Sequence, residues 1–206
     1  MSSILQTPSL GERFEHLYRV ISGKRFKNRE GFGNEAPFFI CPYAPSEAED
    51  VECEISHLKS RLRTETGINA LCIDLYDLSL DILRDREPGF LENIITREPS
   101  WTHDKMLRLL QNVLDPADYL IPALAKRLAC ESHDIFFIKG VGKVFPYIRA
   151  HTVLSNLHAT QDNAPVLLFF PGEFVKTPEL GASLDLFTRL HGDKYYRAFN
   201  IFHYEP

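Results

Sequence analysis

The residues with the clearest chemical potential lie in one short stretch, Lys139-Gly140-Val141-Gly142-Lys143. An apolar run precedes it and a helical pattern follows. Glycines between a strand and a helix, with lysines nearby, are how a phosphate-binding loop begins, because free helix N–H groups and ammonium groups attract an anion. The parts of the known loops are nevertheless incomplete. A P-loop needs a glycine where Phe137 stands and a magnesium-holding hydroxyl where Val144 stands, and the dinucleotide fingerprint needs a glycine where Phe145 stands. The alternative reading is a tight turn that uses glycine dihedrals. Asp74, with Asp77 close behind, ends another apolar run. A carboxylate there suits magnesium, but without a phosphate loop a strand-end salt bridge or helix cap is the preferred reading. Lys139, Gly140, Gly142, Lys143, Arg149 and Asp74 therefore form the candidate anion or ligand rim.

Other catalytic patterns are missing. The eight histidines show no HxH or HExxH spacing, so no metal site is expected. Neither GxSxG nor a Cys-His signature occurs. With no complete cofactor motif, no cofactor is expected. The four cysteines, at 41, 53, 72 and 130, make no CxxC pair and sit beside apolar residues, which reads as reduced core thiols.

The elements that must position this rim are legible as alternating patterns. Apolar runs at 37–41, 70–74, 134–138, 165–170 and 195–202 read as strands, and the first four are almost continuously apolar, as in strands covered on both faces. Helical spacing lies between them. Ser46 and Glu49 match a capping box for a helix carrying Val51, Ile55, Leu58 and Leu62, which Gly67 ends. Segment 102–114 carries Leu107, Leu110, Val113 and Leu114. Asp115-Pro116 caps the next helix, whose core side is Leu120, Ile121, Leu124 and Leu128. A last helix is expected over 144–158. It is apolar around most of its circumference, so Arg149 on it would be buried and tied to a partner, and His151 reads as a core histidine. The expected fold is α/β: three layers around a mainly parallel, Rossmann-like sheet of about five strands, in one domain over 1–206, with a helical insertion at 76–131. In such a fold ligands bind beyond the carboxyl ends of the strands, which is where the rim lies.

Composition bounds the function. The 206 residues are 44% hydrophobic and 25% charged, as in an ordinary globular protein, and the net charge is −5. That sign argues against nucleic-acid binding, which leans on a basic excess. The most basic stretch, with Arg19, Lys24, Arg25, Lys27 and Arg29, reads as a solvated charged loop. No apolar run reaches the roughly 18 residues that span a membrane, and the first residues lack a signal peptide's pattern, so a cytoplasmic protein is expected. Exposed aromatics beside arginine, as at Tyr195, Tyr196 and Arg197, are typical of protein interfaces.

Four motifs in order carry a family resemblance. They are Gly31 to Ile40, with Gly33, Asn34 and Glu35; Gly140 to His151, with Pro146 and the Leu154 to Leu157 run; Pro165 to Gly172, with Pro171; and Tyr195 to Phe199. From about residue 10 to the C-terminus the chain resembles the BrxB family of BREX phage-exclusion systems. The resemblance implies a component encoded with a DNA methyltransferase, an ATPase and a PglZ-type phosphatase-fold protein, with PglZ as the direct partner. It transfers no catalytic residue. The combined expectation is a non-catalytic assembly or regulatory subunit, with a degenerate nucleotide- or anion-binding protein and a nucleic-acid-binding module as the alternatives.

Overall fold

A computed structural model describes residues 8–27, 37–157, 164–177, 181–187 and 198–206, with the backbone alone at 27, 175–177 and 181–183. The strands are β1 (Phe38–Tyr43), β2 (Ala70–Asp74), β3 (Ile135–Lys139), β4 (Val166–Thr177), β5 (Gly181–Leu186) and β6 (Ala198–Asn200). They form one sheet in the order β2-β3-β4-β1-β6, with every neighbouring pair on this path parallel, while β5 pairs antiparallel with β4. The expected three-layer, mainly parallel α/β fold is observed.

Period-two alternation explains the layers. Phe39, Cys41, Ala70, Ile135, Phe137, Leu167 and Phe169 point to one face. There they meet α1 (Leu10–Ser22) and α3 (Ala48–Arg61) through Phe14, Leu17, Val20, Ile21, Val51, Ile55 and Leu58. Their neighbours Phe38, Ile40, Leu71, Ile73, Phe136, Ile138, Leu168 and Phe170 point to the other face. That face is covered by α4 (Leu75–Arg86), α5 (Phe90–Arg97), α6 (His103–Val113), α7 (Ile121–Cys130), α8 (Val141–Val144) and α9 (Ala150–Leu157). A short α2 (Lys24–Lys27) follows α1. Strands wedged between two helical layers must be apolar at every position, which is why these runs do not alternate with polar residues. Among the described residues, no helix is long and apolar enough to cross a membrane.

Several local signals act as expected. Asp115 Oδ1 accepts the amides of Ala117 and Asp118 at 2.9 and 3.1 Å. Gly67 ends the α3 region with φ +71°. Others are corrected. Ser46 forms no capping box; instead Glu47 accepts the Ala44 amide at 3.0 Å and α3 begins after a 3₁₀ turn at Pro45–Glu47. The continuous helix over 144–158 is broken between α8 and α9, around a cis Phe145-Pro146 bond. Proline lacks the N–H that a helix interior requires, and it disfavours helical geometry in the residue before it. The expected strand at 195–202 is seen as β6 and turns into a 3₁₀ turn at Ile201–His203, while 195–197 lie outside the described residues. Cys53 and Cys130 are exposed, against the core reading, and all four thiols are free.

The largest departure is β4. The expected strand at 165–170 continues to Thr177 and returns as β5, a strand that the apolar pattern does not mark. Its first half, up to Pro171, pairs with β1, and from Gly172 onward it pairs with β5. The change comes at Pro171-Gly172. Proline has no amide to give a ladder, and a Cβ on Gly172 would overlap the Asp185 carbonyl oxygen and lie 3.0 Å from the Phe187 amide nitrogen. Gly172→Ala is therefore expected to destabilise the protein by about 1–3 kcal/mol, the range for steric overpacking, measured as a lower urea midpoint with unchanged m.

Candidate functional site

Asp74 is the last residue of β2 and the N-cap of α4. Its Oδ1 accepts the Tyr76 amide at 2.8 Å. Its side chain is only 6% exposed, so the charge must be matched inside the protein. Lys143 Nζ donates to Oδ2 at 2.9 Å, and Lys139 Nζ lies 3.9 Å from the same oxygen. Lys139 sits directly across from Asp74 in the β2–β3 register. Both lysines also reach Glu52 on α3: Lys139 donates to Oε2, and Lys143 to Oε1 at 3.3 Å. The result is a closed ring of alternating charge, Asp74–Lys143–Glu52–Lys139, with no formal net charge. Burial works to lower both lysines, but hydrogen bonds and charge from the two carboxylates outweigh it and hold each above the ordinary lysine value. Tyr43, at the end of β1, is pushed up to about 12 by burial and then by the Glu52 charge.

The glycine turn fits around this ring. Gly140 has φ +80°, and a Cβ there would run into the Asp74 carboxylate and lie 3.2 Å from the Leu75 nitrogen. Left-handed backbone and lack of space both demand glycine. A Cβ on Gly142 would lie 3.0 Å from Phe187 and Pro171. The Phe187 amide donates to the Pro171 carbonyl at 2.8 Å and closes the base of the β4–β5 hairpin. The Gly-Val-Gly-Lys pattern thus serves a turn pressed between a buried carboxylate and a hairpin.

The remaining candidates scatter. Arg149 is exposed and precedes α9, which corrects the expectation of a buried arginine; the break after Val144 removes the helix that would have carried it inward. His151 is half-buried, 3.1 Å from the Thr152 hydroxyl, rather than a core residue. Pro146 occupies the break. Gly33, Asn34, Glu35, Tyr195, Tyr196 and Arg197 lie outside the described residues. Of the basic stretch, Arg19, Lys24 and Arg25 are exposed, and Arg25 stacks over the Tyr204 ring at 4.9 Å. Among the described residues, no group of three or more His, Cys, Asp or Glu is placed to hold a metal.

With this geometry established, comparison with known proteins gives a consistent result. The family model described as "BREX protein BrxB" matches residues 71–201. A protein of that name from Bacillus cereus (strain H3081.97) is 35% identical over 199 residues, covering 93% of this chain and 97% of the relative. The chain belongs to the BrxB family. A second BrxB, from Escherichia coli O9:H4 (strain HS), is 27% identical over 201 residues, covering 94% of this chain and 92% of the relative. No solved structure matches. The span matched by the BrxB model runs from β2 to the end of β6 and contains Asp74, Lys139 and Lys143 of the ring, whereas Glu52 lies before it.

The carboxyl end of β1 gives a pH dependence. Burial pushes the Cys41 thiol from 9.0 up to about 12. Tyr43, Lys139 and Lys143 are raised as well. A raised folded value means that the unfolded chain loses its proton first. The stability from these groups is complete below the unfolded values and is lost as pH rises through the folded ones. Urea midpoints should therefore fall from about pH 9 upward. Cys41→Ala should reduce the loss between pH 8 and 10.5 by about 2 kcal/mol, which is 1.5 pH units of linkage.

Proposed function

We propose that this BrxB-family protein is a non-catalytic assembly subunit of a BREX phage-defence complex in the cytoplasm, and that its direct contact is the PglZ component. One observation carries the non-catalytic part. The four charged side chains gathered at the carboxyl ends of β2 and β3 satisfy one another within this chain. With these charges spent on one another, none of the four is left as an unpaired acid or base at the rim where such folds bind ligands, which supports the non-catalytic reading. The β4–β5 hairpin also packs on the same end of the sheet, with Leu184 and Leu186 buried. The contact surface is assigned to the C-terminal motif with Tyr195, Tyr196 and Arg197, together with Gly33, Asn34 and Glu35. Phe199 on β6, two residues past Arg197, is 42% exposed, which suits an aromatic contact patch.

Co-purification with a tagged PglZ-type partner should recover a complex that persists across moderate salt. Tyr196→Ala and Arg197→Ala should weaken it more than Lys143→Ala. Failure to co-elute at several salt concentrations, with both proteins folded, would count decisively against the assignment. Melting temperatures with millimolar ATP, GTP or NAD, with and without magnesium, should not move. A ligand at 100 times its Kd would add about 2.7 kcal/mol, so a clear shift would favour a nucleotide-binding role instead.

A further inference from the structure

We infer that the Gly140–Lys143 turn is a latch that couples the charge ring on one side of the sheet to the β4–β5 hairpin on the other. The connection leaving β1 runs through α3 on one face, and the connection leaving β3 runs through α8 and α9 on the opposite face. Between them, beyond the end of β4, lies the crevice where open α/β sheets take ligands. Here β4 does not stop at that crevice. It runs through and returns as β5, so the chain's own hairpin stands at that position.

Two adjacent residues of the turn hold the two sides. Lys143 is bonded to Asp74 and Glu52. Gly142 is pressed against Phe187 and Pro171 closely enough that a Cβ would crowd both. Both belong to one helical turn, closed by the Lys143 amide donating to the Gly140 carbonyl at 3.0 Å. Phe187 itself has φ +53°, a left-handed conformation that costs energy for a side chain of this kind. Such a residue holds its conformation only while its surroundings over-determine it. Gly142 supplies the flat surface on which its ring rests. Freeing Lys143 slackens the turn, removes that surface and lets Phe187 relax, so the hairpin base opens as a local unit.

Hydrogen exchange on the full chain reads this directly, since the Phe187 amide is bonded to the Pro171 carbonyl. Lys143→Met should accelerate exchange at 184–187 about tenfold, while amides of the β2–β3 ladder change little. Glu52→Gln, which weakens the same hold without shortening a side chain, should show a smaller acceleration at the same amides. It also supplies the reading if Lys143→Met does not fold. Arg84→Ala, which cuts the exposed Arg84–Asp81 pair, should leave 184–187 unchanged. Unchanged exchange at 184–187 while 140–143 accelerates would overturn the latch. So would an equal acceleration of every amide, which marks general destabilisation. A tenfold rise in a rare opening leaves almost all molecules closed, so the result is independent of whether PglZ binds.

Discussion

A carboxylate buried at the end of a parallel strand is the constraint around which this end of the molecule is arranged. Asp74 is almost shut off from water where it sits, and its charge left wholly unpaired there would cost about 3–5 kcal/mol. Its two oxygens are therefore divided between an N-cap on α4 and the lysine ammonium groups. Lys139 reaches it because parallel register places the two residues side by side. Lys143 reaches it only because Gly140 turns the chain back across the strand end. Two lysines against one carboxylate would leave an excess of positive charge, and Glu52 removes it. A network of this kind adds definition more than stability, since several of its members are partly in water.

The second organising feature is β4. One continuous strand belongs first to a buried parallel sheet and then to an antiparallel hairpin, and the changeover falls on a proline and a glycine. The hairpin brings Leu184, Leu186 and Phe187 onto the same apolar layer as the helices of that face. The end of the sheet is thereby closed by backbone and side chains that in other α/β proteins would give way to a ligand.

Much of this was legible in the amino-acid pattern. Four buried strands announced themselves because burial on both faces leaves no polar positions, and β2 at Ala70–Asp74 needed no adjustment. Asp74 was readable as a cap and salt-bridge residue from its place at a strand end. Gly140 was readable as a turn glycine. Other features had no local signal. Glu52 sits among Glu47, Glu49, Asp50 and Glu54, and nothing in that run distinguishes the one carboxylate that faces two lysines. The second half of β4 is mixed in polarity, because a hairpin leaving the core has a solvated side, so it does not read as a buried strand. The expected 144–158 helix failed because apolar periodicity outweighed Pro146. That error also placed Arg149 inside, where only a continuous helix would have carried it.

The strand order has a consequence for how the chain comes into being. β1 ends at Tyr43, yet both of its partners, β4 and β6, begin after residue 165. At a translation rate of about 5–20 residues per second, β1 emerges roughly 6–25 s before the first strand able to pair with it. During that interval the helices of both layers, α1 and α3 on one face and α4 to α9 on the other, are made, but Phe38, Phe39 and Ile40 have no hydrogen-bonding neighbour. The nascent chain must therefore carry this strand unpaired through most of its synthesis, and the sheet cannot join β1 to β2 and β3 until β4, which lies between them, has been made.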